Sequence, residues 1–153
     1  MKKSEIRERI WRLLEDRGVA RFPKPIRGRI PNFVGAKRAA EKLRELDEYK
    51  RASVVFCNPD SPQRPIREHI LKDGKILIMA TPRLKRGFLI LDPMRVHPSV
   101  YSRASTIRGA FEYGNLIRVN ELPFIELKVM GSVAVSPDGG RLGKGHGYSD
   151  IEF

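Results

Sequence analysis

Residues 53–80 read Ser53-Val54-Val55-Phe56-Cys57, then Asn58-Pro59-Asp60-Ser61, then Pro62-Gln63-Arg64-Pro65-Ile66-Arg67-Glu68-His69-Ile70-Leu71-Lys72, then Asp73-Gly74, and finally Lys75-Ile76-Leu77-Ile78-Met79-Ala80. The first and last runs are short, apolar and rich in β-branched residues, the signature of strands buried on both faces. Between them Ile66, Ile70 and Leu71 recur at helical spacing, proline falls in the first turn, and Asp73-Gly74 stops the pattern. Strand, helix and strand in that order predict a parallel pair joined by a crossover helix. The expected class is therefore α/β, a layered fold on a mostly parallel sheet.

Outward from this centre the signals continue. Ser4 to Asp16 places Ile6, Ile10, Leu13 and Leu14 on one helical face, and Gly35 to Tyr49 predicts a second helix carrying Ala36, Ala39, Ala40, Leu43 and Leu46. The proline- and arginine-rich residues 21–31 between them read as extended loop, because each proline disfavours helix in the residue before it. Downstream, Phe88 to Leu91 is another apolar run, residues 93–124 show one short helix near Pro98 to Thr106, and Ile125 to Val135 is the longest strand signal. Ser136-Pro137-Asp138-Gly139-Gly140 is turn chemistry. In such sheets ligands bind beyond the carboxyl ends of the strands, which makes the loops after Cys57, Ala80 and Val135 the candidate rim.

The chain has 153 residues, 30 Lys plus Arg against 18 Asp plus Glu, and a net charge of +12, so its field favours polyanionic partners. This length suits one domain, 1–153. The one cysteine, Cys57, excludes an internal disulfide and lies in an apolar run where burial is its natural place. No apolar stretch is long enough to span a bilayer, and the N-terminus lacks a continuous apolar segment, so a cytoplasmic location is expected. The sparing use of glutamine, with Gln63 alone, beside abundant Arg, Lys and Glu fits a thermophile.

Arg141-Leu142-Gly143-Lys144-Gly145-His146-Gly147 carries the strongest chemical signal. Glycines at alternating positions permit a tight backbone that presents its N–H groups, and Arg141 and Lys144 add positive charge. That pattern suits a phosphate cradle; it also suits a plain glycine turn with two solvated cations. Neither the dinucleotide fingerprint nor the Walker A motif is matched, since no acidic residue follows at the required distance and Lys144 precedes glycine. Asp150, one turn further on, could ligate magnesium or simply favour the start of a helix. The cations Lys24, Arg27 and Arg29 with Phe22 and Phe33 could offer a nucleic-acid surface or form a solvated loop with inward aromatics.

The run Gly139 to Asp150 resembles the G-x-R-L-G-x-G-x-G-Y-Y-D signature of 5-formyltetrahydrofolate cyclo-ligase, also called methenyltetrahydrofolate synthetase. Lys3-Ser4-Glu5-Ile6-Arg7 is similar to that family's opening K-x-x-L-R. Further segments, Ile30 to Ala36, Pro59 to Gln63 and Met79 to Leu84, resemble the branch of methenyltetrahydrofolate synthetase domain-containing proteins. The resemblance implies a three-layer sandwich similar to ribose-5-phosphate isomerases, with further C-terminal elements beyond those of this chain. It implies ATP- and magnesium-dependent closure of 5-formyltetrahydrofolate, or a related pterin, to the 5,10-methenyl form. By that resemblance Lys3 and Arg7 hold ATP from the first helix. Arg141 and Lys144 stabilise the moving phosphoryl group, with Leu142, Gly143, Gly145, His146 and Gly147 around the triphosphate. Tyr148, Asp60 and Arg83 fall on the substrate side, and Asp150 on the metal. Ser61 and Gln63 stand where the family has an acidic stretch, and Ser149 replaces its second tyrosine. From another class, a non-catalytic member binding RNA through its basic surface is the alternative expectation.

Overall fold

The computed structural model describes residues 1–145. In chain order these form α1 (Lys3–Asp16), β1 (Ala20–Arg21), β2 (Asn32–Phe33), α2 (Ala36–Arg44), α3 (Asp47–Arg51) and β3 (Val54–Cys57). Then come α4 (Arg64–Lys72), β4 (Ile76–Ala80), β5 (Phe88–Leu91), α5 (Tyr101–Ala104) and α6 (Ile107–Tyr113). The last elements are β6 (Asn115–Ile117), β7 (Leu127–Val129), β8 (Ala134–Val135) and β9 (Arg141–Leu142). The chain divides into two compact units: one of Met1–Ala36, Asp60–Pro62 and the described residues from Met130, the other of Lys37–Pro59 and Gln63–Val129.

The larger unit is an α/β layer on a five-stranded sheet of order β6-β5-β4-β3-β7. β3 pairs in parallel with β4, Val55 against Leu77 and Phe56 against Ile78, with α4 as the crossover. Both faces of these strands are sealed: Val55, Cys57, Leu77 and Met79 join one core with Ile66, Ile70 and Leu71 of α4, while Phe56 and Ile78 are buried on the opposite side. Phe88 meets Phe56 there edge to face. The β7 strand adds to β3 in parallel.

The sheet is mixed rather than mostly parallel in its pairing, because β4–β5 and β5–β6 are antiparallel. The reason is loop length. A parallel connection needs about a dozen residues or more, and only residues 81–87 separate β4 from β5. β5 alone runs backwards, and β6 reverses again.

Three other expectations are corrected. The helix over Gly35 to Tyr49 breaks into α2 and α3, and the single strand over Ile125 to Val135 is two, β7 and β8, in different sheets. The obscure residues 93–124 hold α5, α6 and the edge strand β6. α5 and α6 turn sharply into each other at Thr106, whose hydroxyl accepts from the Gly109 N–H at 3.0 Å. A Cβ on Gly109 would lie 1.8 Å from the Arg103 carbonyl oxygen, so only glycine fits that corner.

At the amino edge of the parallel strands a polar network replaces apolar packing. Asp73, in the turn between α4 and β4, accepts two Arg44 hydrogen bonds at 2.9 and 2.8 Å and one from the Tyr49 hydroxyl at 2.7 Å. Lys75 donates to the Ala52 carbonyl at 2.6 Å and lies over the Tyr49 ring. The Glu126 carboxylate accepts from the N–H groups of Ser53 and Val54 at 2.8 and 3.1 Å, fixing the start of β3.

In the smaller unit β1 and β2 form an antiparallel pair, as do β8 and β9. Trp11 of α1, Ala20, Ile26, Ile30 and Val133 make its core. The Trp11 indole donates to the Arg29 carbonyl at 3.1 Å, anchoring the proline-rich loop through its backbone.

Burial alone would raise the Asp73 carboxyl, but the hydrogen bonds from Arg44 and Tyr49 outweigh it and hold the group below its ordinary value. A depressed carboxyl contributes stability above its unfolded pKa of about 3.9, and the contribution disappears as pH falls through the folded value. Asp73→Asn therefore costs about 2 kcal/mol at pH 7, a fall in Tm of about 5 °C. Thermal melts of the two proteins should converge as the pH is lowered below about 4.

Candidate functional site

The glycine run begins as a strand and not as a loop. Ser136 to Gly140 closes the β8–β9 hairpin, the Ser136 N–H donating to the Gly140 carbonyl at 2.9 Å. Arg141 and Leu142 then pair with Val135 and Ala134. Arg141 is turned back on the hairpin's own base. Its Nε donates to the Ser132 hydroxyl at 3.0 Å and its second guanidinium nitrogen to the Gly131 carbonyl at 2.7 Å. These bonds fasten the segment before β8 to β9, so Arg141 shapes the support of the run that follows.

Beyond β9 the chain meets α1. Arg7, half-buried on that helix, donates from Nε to the Gly143 carbonyl at 2.7 Å. Gly145 adopts φ +105°, a backbone that side chains rarely take. A Cβ there would sit 3.5 Å from the Arg7 guanidinium, which shows how closely the arginine lies along the 143–145 backbone. Lys144 points to Asp60, with Nζ 4.0 Å from Oδ1 and side chains only 33% and 20% exposed. Lys3 stands exposed at the first turn of α1.

Five of the expected site residues thus gather in one unit: Arg7, Gly143, Lys144 and Gly145, with Asp60 opposite the lysine. Cationic and amide donors around one acid suit a polyanion. Arg83 belongs to the other unit, exposed at the tip of the β4–β5 hairpin. There Arg83 and Leu84 both take φ +54°, and the Thr81 hydroxyl donates to the Gly87 carbonyl at 2.8 Å and accepts from the Arg86 N–H at 3.1 Å. His146, Gly147, Tyr148 and Asp150 lie outside the described residues. Among the described residues no group of three or more His, Cys, Asp or Glu side chains could hold a metal.

The structure adds a residue that sequence reading passed over. Arg67 of α4 is 2% exposed and donates to the carbonyls of Asn58 at 2.7 Å and Ser105 at 2.8 Å. It ties the loop leaving β3 to the end of α5. The signal was present: Arg67 precedes Ile70 by three and Leu71 by four, so it shares their inward face. Of the basic-aromatic candidates, Arg27 is paired with Glu8 at 2.8 Å and Glu15 at 2.5 Å, and its hydrogen bond to Glu8 holds that carboxyl below its ordinary value. Phe22 is 80% exposed.

The model of the 5-formyltetrahydrofolate cyclo-ligase family matches residues 1–153. The chain belongs to that family. Methenyltetrahydrofolate synthase domain-containing proteins are similar to it: that of Bos taurus is 40% identical over 99% of this chain and 40% of its own length. Those of Mus musculus and Homo sapiens are 39% and 37% identical, again over 99% of this chain and 41% and 40% of their own lengths. The chain therefore spans about two fifths of these curated relatives. The family takes its name from a 5-formyltetrahydrofolate cyclo-ligase. Among the described residues no helix is long and apolar enough to cross a membrane.

Replacing Arg141 by methionine should leave the Gly131 carbonyl without its charged donor and lower stability by about 1–2 kcal/mol. Arg141→Lys should rescue only part, since an ammonium cannot reproduce the guanidinium fork. Thermal melts, with hydrogen exchange of residues 132–142 opening first, are the check.

Proposed function

We propose that this domain is an ATP- and magnesium-dependent cyclo-ligase that closes 5-formyltetrahydrofolate, or a closely related reduced pterin, to its 5,10-methenyl form. The observation that carries the reading is the bond from Arg7 to the Gly143 carbonyl. It joins the two segments on which the family resemblance rests, the N-terminal K-x-x-L-R-like run and the glycine run, although 136 residues separate them. The glycine run is the specific motif, and the N-terminal run, weak alone, gains its meaning from the combination.

The residues present fit a nucleotide's polyphosphate. Lys3, Arg7 and Lys144 supply positive charge, and the Leu142–Gly145 backbone supplies N–H groups with little side-chain obstruction. Magnesium usually takes one or two carboxylates together with phosphate and water; Asp150 is the metal residue that the family resemblance implies, and Asp60 is the acid beside Lys144. ATP, when bound, would convert the formyl oxygen to a leaving group as N10 closes the ring. The chain's own share is positioning and charge. Lys144 holds phosphate oxygens, and Arg7 fixes the loop backbone through Gly143. Arg141 keeps the hairpin beneath that loop in place. Tyr148 and Arg83 carry only the substrate role that the family resemblance implies for them. With chemistry of this kind, most of the rate comes from alignment and from stabilising charge on the transferred group.

The test is an absorbance assay for the methenyl product with 5-formyltetrahydrofolate, run with and without ATP and magnesium. Product should form only with both. Lys144→Ala should weaken ATP binding by about 10–100-fold, the loss of one charge-assisted contact, with an unchanged melting temperature in the absence of nucleotide. No product from the intact protein, together with no ATP-dependent thermal shift, would overturn the assignment.

A further inference from the structure

The residues around Lys144 include a feature that a simple phosphate cradle does not need. Asp60 holds a carboxylate oxygen 4.0 Å from the lysine ammonium, and both side chains are largely shielded from water. A phosphate oxygen hydrogen-bonded to that ammonium sits about 2.8 Å from Nζ. With Lys144 where it is, that oxygen lies within about 7 Å of the Asp60 carboxylate. This is inside the Debye length of about 8 Å at physiological salt, so solvent ions do not hide one negative group from the other. Any polyanion drawn by Lys144 therefore meets two opposed effects: it must displace the aspartate as the lysine's counter-ion, and it must then tolerate the aspartate as a neighbour.

We propose that Asp60 is a specificity-determining residue that makes this surface select the magnesium-complexed form of a polyphosphate over the metal-free form. The inference rests on the reading of Lys144 as a phosphate-holding cation. A metal-free triphosphate brings its whole negative charge against Asp60. The magnesium complex carries two fewer charges and offers the aspartate a cation to face, which turns repulsion into attraction. The lysine alone would rank the two forms the other way, since the more highly charged anion is drawn more strongly to a cation. Asp60 reverses that ranking. Arg7 does not perform the same function, because its Nε is committed to the Gly143 carbonyl.

The experiment is calorimetric titration of the intact chain with inorganic triphosphate, with excess magnesium and with a chelator. The readout is the ratio of the two affinities, which needs no turnover. The wild type should favour the magnesium form. Asp60→Asn should tighten metal-free triphosphate about five-fold, leave the magnesium complex level or weaker, and so lower the ratio at least five-fold. Lys144→Met, which keeps Asp60 and alters a partly exposed side chain, should raise the ratio while weakening both forms. Asp16→Asn removes the same charge from the end of α1 and should leave the ratio unmoved. If Asp60→Asn leaves the ratio unchanged, or Asp16→Asn shifts it equally, the selection by Asp60 is wrong while the phosphate surface stands. If Asp60→Asn does not fold, the Lys144→Met ratio decides alone, and a ratio at the wild-type level overturns the proposal. If triphosphate binds none of the proteins in either form, the phosphate reading falls and this inference with it.

Discussion

Two strands side by side, each apolar on both faces, can be stable only when both faces are covered and every backbone group is paired. Val54–Cys57 and Ile76–Ala80 are such a pair, and their parallel register is the constraint on which the rest of the larger unit depends. Parallel pairing forces a crossover helix, and α4 supplies it. It also brings the carboxyl ends of the two strands to the same edge, with Asn58 after one and Thr81 after the other. Adding β7 in parallel extends that edge, where the Asn58 N–H donates to the Val129 carbonyl at 3.2 Å. The opposite edge is closed by Asp73, Lys75 and Glu126, none of which faces the candidate rim. The amino edge is thus held by structural polar groups, while the loops leaving the strands all start from the carboxyl edge.

Burying Arg67 at that carboxyl edge looks costly, since a charged group removed from water needs compensation. Its two carbonyl acceptors come from segments far apart in sequence, Asn58 and Ser105. Holding them with one planar fork is a task for arginine rather than lysine. The benefit is positional. One side chain of α4 thereby joins the loop that leaves β3 to the end of α5.

How much of this was legible in sequence depends on the range of the forces involved. The β3–α4–β4 unit was readable because its signals are local and periodic: apolar runs, Ile66-Ile70-Leu71 at helical spacing, Asp73-Gly74 at the stop. The reversal at β5 was also written locally, in the brevity of residues 81–87, but apolar content alone does not carry direction. The α5–α6 corner was obscure because it is decided by one steric contact, Gly109 against the Arg103 carbonyl, and by one cap, Thr106. Val133 was legible as apolar yet belongs to the Trp11 core, not to a continuation of β7. Within residues 125–135 the change of unit is marked locally only by Gly131-Ser132, a break in an otherwise strand-like run.

The glycine run shows the same limit at finer scale. Arg141 and Lys144 read as equal cations in one motif, three residues apart. The fold gives them different work because Arg141 lies in a strand and Lys144 lies past its end. In the hairpin the arginine donates to Gly131 and Ser132, acceptors contributed by the segment leading into β8. One step beyond β9 the backbone is released from pairing and taken up by Arg7, and the next side chain is the lysine. A motif defined by residue type thus contains a half held in a strand and a half past the strand's end, and the boundary between them is where the strand's hydrogen bonds stop. That boundary also explains the contact with α1: past the last strand pair the Gly143 carbonyl takes its hydrogen bond from a side chain of another element, Arg7.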